Sequence, residues 1–318
     1  MNVRSFLRFV ELPTKVASML PFLMGTLYAL YRFEDFSVLR FLLMLVSLLS
    51  FDMATTAINN YYDFKKAAKT HGYGYETHNA IVHYKLKEST VVTTIAVLLL
   101  LAVGGGIALV FQTGLLIFLL GGLSFLIGIL YSFGPIPISR MPLGELFSGL
   151  FMGFVIIFIS AYIHSDQSVV TLLLQGGWVD LHVNLLEVLY IFWFSVPAIL
   201  GIAGIMLANN ICDIEDDLEN RRYTLPVYIG RSNALLLFKL LYYVSYLDMA
   251  VLLILGVHPV LVALLLITLI PLRRNMAVFH EKQEKASTFI LSVKNFVLMS
   301  TARIFVLAAA VLLGMLNI

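Results

Sequence analysis

Asn-Asn-x-x-Asp occurs twice in the chain, as Asn59, Asn60 and Asp63 and again as Asn209, Asn210 and Asp213, each time at the end of a long apolar run and before a charged loop. The copies are 150 residues apart, close to half of the 318-residue chain, which points to an internal duplication. Amides and carboxylates at the end of a membrane span are costly to desolvate, so such residues are functional candidates by default. The second copy continues with Asp216 and Asp217, and on a helix Asp213, Asp216 and Asp217 share one face. Crowded carboxylates repel one another unless a cation neutralises them. An all-oxygen set of this kind suits magnesium, which keeps several waters and bridges a few carboxylates to phosphate. Asn59 and Asp63 repeat the four-residue spacing, so the expected metal ligands are Asn59, Asp63, Asp213, Asp216 and Asp217. Tyr131, Arg140, Arg221 and Arg222 come from loops on the same side and suit the gripping of phosphate oxygens, arginine by paired hydrogen bonds. Helix caps and solvated turns use the same residue types, but two matched clusters on one face weigh against that plainer reading.

The elements that must hold these residues are membrane helices. Apolar residues make up 60% of the chain and charged residues 13%, with a mean hydropathy of +0.93. A soluble domain runs about 45–50% apolar and about 25% charged. Nine apolar blocks are long enough to cross a bilayer, at 16–32, 38–62, 91–111, 115–133, 142–164, 188–212, 233–255, 257–272 and 289–316. The runs are continuous rather than alternating, so helices rather than barrel strands satisfy the backbone in lipid. The first block has no small-residue cleavage site after it and reads as a retained span. Cys212 is the only cysteine, which excludes an intrachain disulfide and a cysteine-based zinc site.

Lysine and arginine fall in the loops after even-numbered spans: Lys65, Lys66, Lys69, Lys85 and Lys87; Arg140; Arg221, Arg222 and Arg231; Arg273, Arg274, Lys282 and Lys285. The loops after spans 3, 5 and 7 carry none, although the one at 165–187 is long. The positive-inside rule then puts the N-terminus and both Asn-Asn-x-x-Asp clusters on the cytoplasmic face. Because the copies end spans 2 and 6, which run the same way, the halves are parallel repeats. The expected fold is all-α: nine transmembrane helices, two four-helix repeats at about 1–140 and 141–288, and a final helix at 289–318. An inverted-repeat transporter would instead place its polar site near the bilayer midplane. Gly104, Gly105 and Gly106, with Gly121 and Gly122, are expected to permit close helix packing.

These motifs resemble those of the UbiA-type intramembrane prenyltransferases, in which each four-helix half carries an Asp-rich motif after its second helix. NNYYD and DIEDD match that pattern with departures. YSFGPIPISRMPLGELFSGLFMGF, from Tyr131 to Phe154, and NNICDIEDDLENRRYTLPVYIGR, from Asn209 to Arg231, are similar to the branch that prenylates 1,4-dihydroxy-2-naphthoate. The resemblance covers essentially the whole chain as one domain. It implies magnesium-dependent transfer of a polyprenyl chain from polyprenyl diphosphate to 1,4-dihydroxy-2-naphthoate, with loss of carbon dioxide, giving demethylmenaquinol for menaquinone synthesis. It further implies Asp63, Asp213 and Asp217 as catalytic residues, and Lys66, Lys69, Tyr131, Arg140, Asn209, Arg221 and Arg222 as substrate-binding ones. The implied partners are these two substrates and the lipid of the cell membrane, with no nucleic acid.

Two departures matter. Asn60 stands where the family usually has Asp or Glu, and Lys69 where this branch usually has a further Asp. The first cluster has therefore lost two negative charges and gained a positive one, which suits magnesium held mainly by the second cluster and Lys69 touching diphosphate. Glu76 is a candidate substitute carboxylate. Other UbiA-type enzymes, acting on 4-hydroxybenzoate, haem or chlorophyll precursors, share the Asp motifs; the segment from Gly134 to Gly149 is what distinguishes this branch.

Overall fold

The computed structural model describes residues 1–66, 79–132 and 137–316. Among them, nine helices are long and apolar enough to cross a membrane: α1 Leu12–Phe33, α2 Val38–Lys65, α3 Glu88–Thr113, α4 Leu115–Ser132, α5 Gly144–Tyr162, α6 Leu185–Cys212, α7 Leu225–Ile254, α8 Pro259–Glu281 and α9 Ile290–Met315. The expected spans are all present, with shifted ends. The entry to α7 begins eight residues before the expected 233 because Thr224 precedes Leu225 and Pro226 at a helix start, and the chain then bends at Gly230 (φ 79°). A proline in the first turn costs no hydrogen bond, since that N–H has no helical partner. α8 runs past 272 to Glu281, carrying Arg273 and Arg274 beyond the apolar block.

Helix ends are fixed by local chemistry. The Asn184 side chain accepts the Glu187 N–H at the start of α6, and His258 accepts from Val260 at the start of α8. α6 is the hub, packing on α5, α7 and α9, while α1 lies between α5 and α9 and α2 pairs with α3. α5 crosses α6 closely. A Cβ at Gly153 would lie 2.5 Å from the Ile199 backbone nitrogen, so only glycine allows that approach. α5 also contains a π-helical stretch at Gly149–Val155, which re-aims its faces within the membrane. α7 and α9 are tied by a fully buried ion pair, with Arg303 Nε and Nη2 donating to Asp248 at 2.6 and 2.7 Å.

The segment 165–187, read from sequence as a plain loop, contains a hairpin. Strand β1 (Val170–Gln175) pairs antiparallel with β2 (Trp178–Val183), from Val170 opposite Val183 to Gln175 opposite Trp178. The turn is Gly176–Gly177, both with positive φ, 57° and 85°, as a two-residue hairpin turn demands. Val170, Leu172, Leu174, Val179, Leu181 and Val183 share one face by this register, leaving Thr171, Leu173, Gln175, Trp178, Asp180 and His182 on the other.

A cavity of about 490 Å³ opens between α2, α3, α4 and α5, with Ser18 of α1 and Met206 of α6 completing its wall. It runs from Asn59, Tyr131 and Ser132 at one end of the bundle to Leu109, Val110 and Ile117 near the other. α4 is almost bare: Ile117 is its only buried residue, so one wall of the cavity is a helix that faces lipid. Gly121 and Gly122 line the cavity, and a Cβ at either would meet nothing within 4 Å. Their expected packing role is therefore not realised, and the same holds for Gly104, which has open space where a Cβ would be. Gly105 and Gly106 do pack closely, against Leu43 and Ser47 of α2.

Candidate active site

Each Asn-Asn-x-x-Asp copy ends a long helix, and the two asparagines of each copy part company. Asn59 faces the cavity, whereas Asn60 turns away and donates from Nδ2 to the Phe9 carbonyl at 2.9 Å. Asn210 is buried and donates to Glu145 Oε1 at 2.9 Å, while Asn209 donates weakly toward Asp213 Oδ2 at 3.4 Å. A buried amide needs such a partner, because an unmade hydrogen bond there costs about 1–3 kcal/mol. The second asparagine of each copy is thus a structural tie, and the first stays with its aspartate. Asp63, one turn beyond Asn59 on the same helix face, is exposed.

In the second cluster the three carboxylates differ in burial and in partner. α6 ends at Cys212, and Asp213 (φ −102°, ψ 11°) is a junction before a short helix at Ile214–Glu219. The Asp217 N–H still donates to the Asp213 carbonyl at 2.7 Å across this junction, and the three carboxylates have different partners. Asp213 Oδ2 is paired with the Lys285 ammonium from the loop before α9. Asp216 is exposed. Asp217 is buried, accepting from Thr224 Oγ1 at 3.0 Å and facing Arg222 Nε at 3.3 Å. Burial raises its carboxyl above the ordinary carboxylate range, and the Arg222 guanidinium opposes that rise. Among the described residues no three His, Cys, Asp or Glu side chains come close enough to hold one ion.

The other expected residues divide as follows. The Tyr131 hydroxyl is buried in the cavity wall with no hydrogen-bond partner in ordinary geometry among the described residues. Arg222 reaches the Ser139 carbonyl at 3.5 Å as well as Asp217, and the Tyr223 N–H donates to the Arg140 carbonyl at 3.2 Å. These contacts clamp the Arg140 turn to the second cluster, so Arg222 acts here as a brace between loops. The Arg140 and Arg221 side chains are exposed, Arg221 in a left-handed conformation (φ 53°). Lys66 closes the helix after Asp63. Lys69, Glu76, and residues 133–136 of the signature segment lie outside the described residues.

Three residues of this region carry signals that the motif search passed over. Lys285 counted only toward orientation, yet it meets Asp213. Lys15 and Asp52 form an ion pair of 2.7 Å in the bundle, with Lys15 only 3% exposed. The signal for Asp52 was plain enough: a lone carboxylate inside an apolar span is costly and rarely idle.

The candidate donors Asn59, Asp63, Asp213 and Asp216 all offer oxygen, and Lys285 already places one positive charge on Asp213. That chemistry fits a hard divalent cation such as magnesium. Asp217, held by Arg222 and Thr224, fits a bracing role better than a ligand's in this arrangement.

Nine helices long enough to span a membrane among the described residues, two of them ending in an Asn-x-x-x-Asp cluster, and an apolar cavity lined by Asn59 suit an intramembrane prenyltransferase. The chain belongs to the UbiA prenyltransferase family, which it matches over residues 18–301. It is 33% identical over 236 residues to the 1,4-dihydroxy-2-naphthoate octaprenyltransferase of Bacillus subtilis (strain 168), covering 73% of this chain and 68% of that protein. Its fold is similar to that of a UbiA homologue from Aeropyrum pernix K1 (TM-score 0.65, 18% identity, 94% of this chain and 98% of that one). It is also similar to a UbiA homologue from Archaeoglobus fulgidus bound to GPP and magnesium (TM-score 0.63, 17% identity, 96% and 99%). The protein is a multi-pass membrane prenyltransferase.

Proposed function

We propose that this enzyme transfers a polyprenyl group from polyprenyl diphosphate to 1,4-dihydroxy-2-naphthoate, with loss of carbon dioxide, on the cytoplasmic side of the cell membrane. The observation that carries the reading is the cavity: its mouth bears Asn59 and Tyr131, and its body is apolar, so one molecule with a polar head and a long hydrocarbon tail fits both ends. Similarity to the Bacillus naphthoate enzyme supports the acceptor, and the lysines and arginines in the loops at this end support the orientation.

In this reading Asn59, Asp63, Asp213 and Asp216 would hold magnesium. When bound, magnesium neutralises the negative charge that grows on the departing diphosphate. Lys66, Lys69, Asn209 and Arg221 add donors around the same oxygens, and Tyr131 offers its unpaired hydroxyl. The allylic C–O bond breaks and its electron pair leaves with diphosphate. The ring carbon bearing the carboxylate attacks the allylic carbon, and the C–carboxylate electron pair returns to the ring as carbon dioxide leaves. Arg140 receives the acceptor's carboxylate before that step in this reading. The apolar wall of α2, α3 and α4 keeps water from the allylic cation. Membranes containing the protein, supplied with 1,4-dihydroxy-2-naphthoate, a polyprenyl diphosphate and magnesium, should yield a lipid of the demethylmenaquinol mass; a lipid extract without that mass overturns the reading.

A further inference from the structure

Of the residues lining the cavity, Asp52 alone carries a charge among those described. It lies seven residues before Asn59 on α2, about 10 Å deeper along the helix and close to the same face. A channel made only to hold a hydrocarbon chain gains nothing from a carboxylate, and burying one is expensive unless it is paired. The pairing is complete on the cation's side. Lys15 Nζ donates to Asp52 Oδ1 at 2.7 Å, to the Asp52 carbonyl at 3.0 Å and to Thr56 Oγ1 at 2.6 Å, which uses all three of its protons. The carboxylate is not exhausted. One oxygen takes Lys15, the other takes the Ser18 hydroxyl, and a carboxylate has about four acceptor positions. Asp52 keeps 17% of its side chain exposed at the cavity wall.

What this site offers a ligand is therefore lone pairs and no donors. It rejects a carboxylate or a diphosphate, and an isoprenoid tail has nothing to give it. A hydroxyl on an aromatic ring is the group that satisfies it. We infer that Asp52, neutralised by Lys15, seats a ring hydroxyl of the aromatic acceptor inside the cavity and so selects hydroxylated rings. The inference rests on the prenyltransferase reading above and names a contact which that reading does not require. The hydroxyl donates to a free lone pair of Asp52, while the acceptor's own carboxylate stays toward the basic mouth. A hydrogen bond to the carboxylate also pushes electron density into the ring that attacks the allylic carbon.

The test is equilibrium binding of acceptor, without donor, to the purified protein in lipid nanodiscs under reducing conditions, followed by naphthoate fluorescence. The probes are 1,4-dihydroxy-2-naphthoate and its two mono-methyl ethers. Wild type should bind the dihydroxy acid about tenfold or more tightly than at least one ether, the size expected for a hydrogen bond to a charged group. The double variant Lys15→Met, Asp52→Leu removes both charges together and avoids stranding a buried ion, so it should fold. It should bind all three probes alike. Asp52→Asn, checked for thermal stability, should lose most of the preference as well. Unchanged preference in the double variant, or wild type indifferent to both ethers, overturns the inference and leaves the prenyltransferase reading intact. Wild type that binds none of the probes, and yields no prenylated naphthol with donor present, removes both. A change in stability with preference retained assigns the pair to packing of α1 on α2 alone.

Discussion

The two Asn-Asn-x-x-Asp copies look interchangeable as strings, yet they are held in different ways. The first stays on an unbroken helix, and its nearby ion pair, Lys65 with Glu88 at 2.6 Å, ties α2 to α3 behind the site rather than across it. Asp63 makes no ion pair among the described residues and is exposed. The second copy sits where α6 ends, and basic side chains from two loops and α7 meet it: Lys285 with Asp213, Arg222 with Asp217, and Arg231 of α7 with Glu215 at 2.5 Å. The first cluster thus supplies ligands with little scaffolding, and the second is both ligand and latch. A duplicated motif keeps its inner asparagine as a structural tie in both halves while the charges around it diverge.

The largest expected effect falls on the shared element. Asp63→Asn and Asp213→Asn should each lower turnover by roughly 10²–10³-fold while the protein remains in the membrane, by analogy with the loss of one preorganised electrostatic group at a transition state. Full turnover by either variant at ordinary magnesium concentration would remove that aspartate from the metal site. The comparison sharpens one step inward. Asn210→Leu leaves Glu145 buried without its amide partner and should cost about 1–3 kcal/mol of stability, read as a lower melting temperature in detergent. Asn60→Leu should cost less, because Asn60 is only half-buried and its partner is a carbonyl at the edge of the bundle. Equal losses would mean that the two ties are equivalent after all.

Smaller effects separate latch from ligand. Lys285 is 50% exposed and Asp213 20%, so their pair should add no more than about 1 kcal/mol to stability. Lys285→Met should leave the melting temperature nearly unchanged and lower the magnesium concentration needed for half-maximal activity, because an ammonium no longer competes for Asp213. A higher magnesium requirement would instead make Lys285 part of the substrate grip. The smallest expected change is at Lys69: Lys69→Ala should raise the Michaelis constant for the prenyl donor and spare that for the acceptor. If neither constant moves, Lys69 is a solvated loop charge.

Much of this could be read from residue order. Apolar blocks located the nine membrane-length helices found among the described residues, because length and hydropathy are local properties. The paired motifs marked the polar end for the same reason. What escaped depended on partners far along the chain. Nothing local tells Asn210 to seek Glu145, or Lys285 to meet Asp213. Nor does spacing alone tell that Asp213 sits at a helix junction while Asp217 is buried against Arg222 and Thr224. The hairpin was legible, since Gly176–Gly177 separates two runs rich in Val and Leu, but the search there was for charges rather than strands. Asp52 was likewise visible as a lone charge in a span; its partner Lys15, 37 residues earlier, was not.

The central claim is a decarboxylating prenyl transfer, and carboxyl-labelled acceptor tests it most directly. Membranes bearing the protein should be given 1,4-dihydroxy-2-naphthoate labelled in its carboxyl carbon, a polyprenyl diphosphate and magnesium, and the gas and the lipid counted together. The account predicts labelled carbon dioxide in one-to-one step with an unlabelled prenylated lipid, and neither product from Asp213→Asn. Label retained in the prenylated lipid, or faster prenylation of 4-hydroxybenzoate than of the naphthoate, would contradict it.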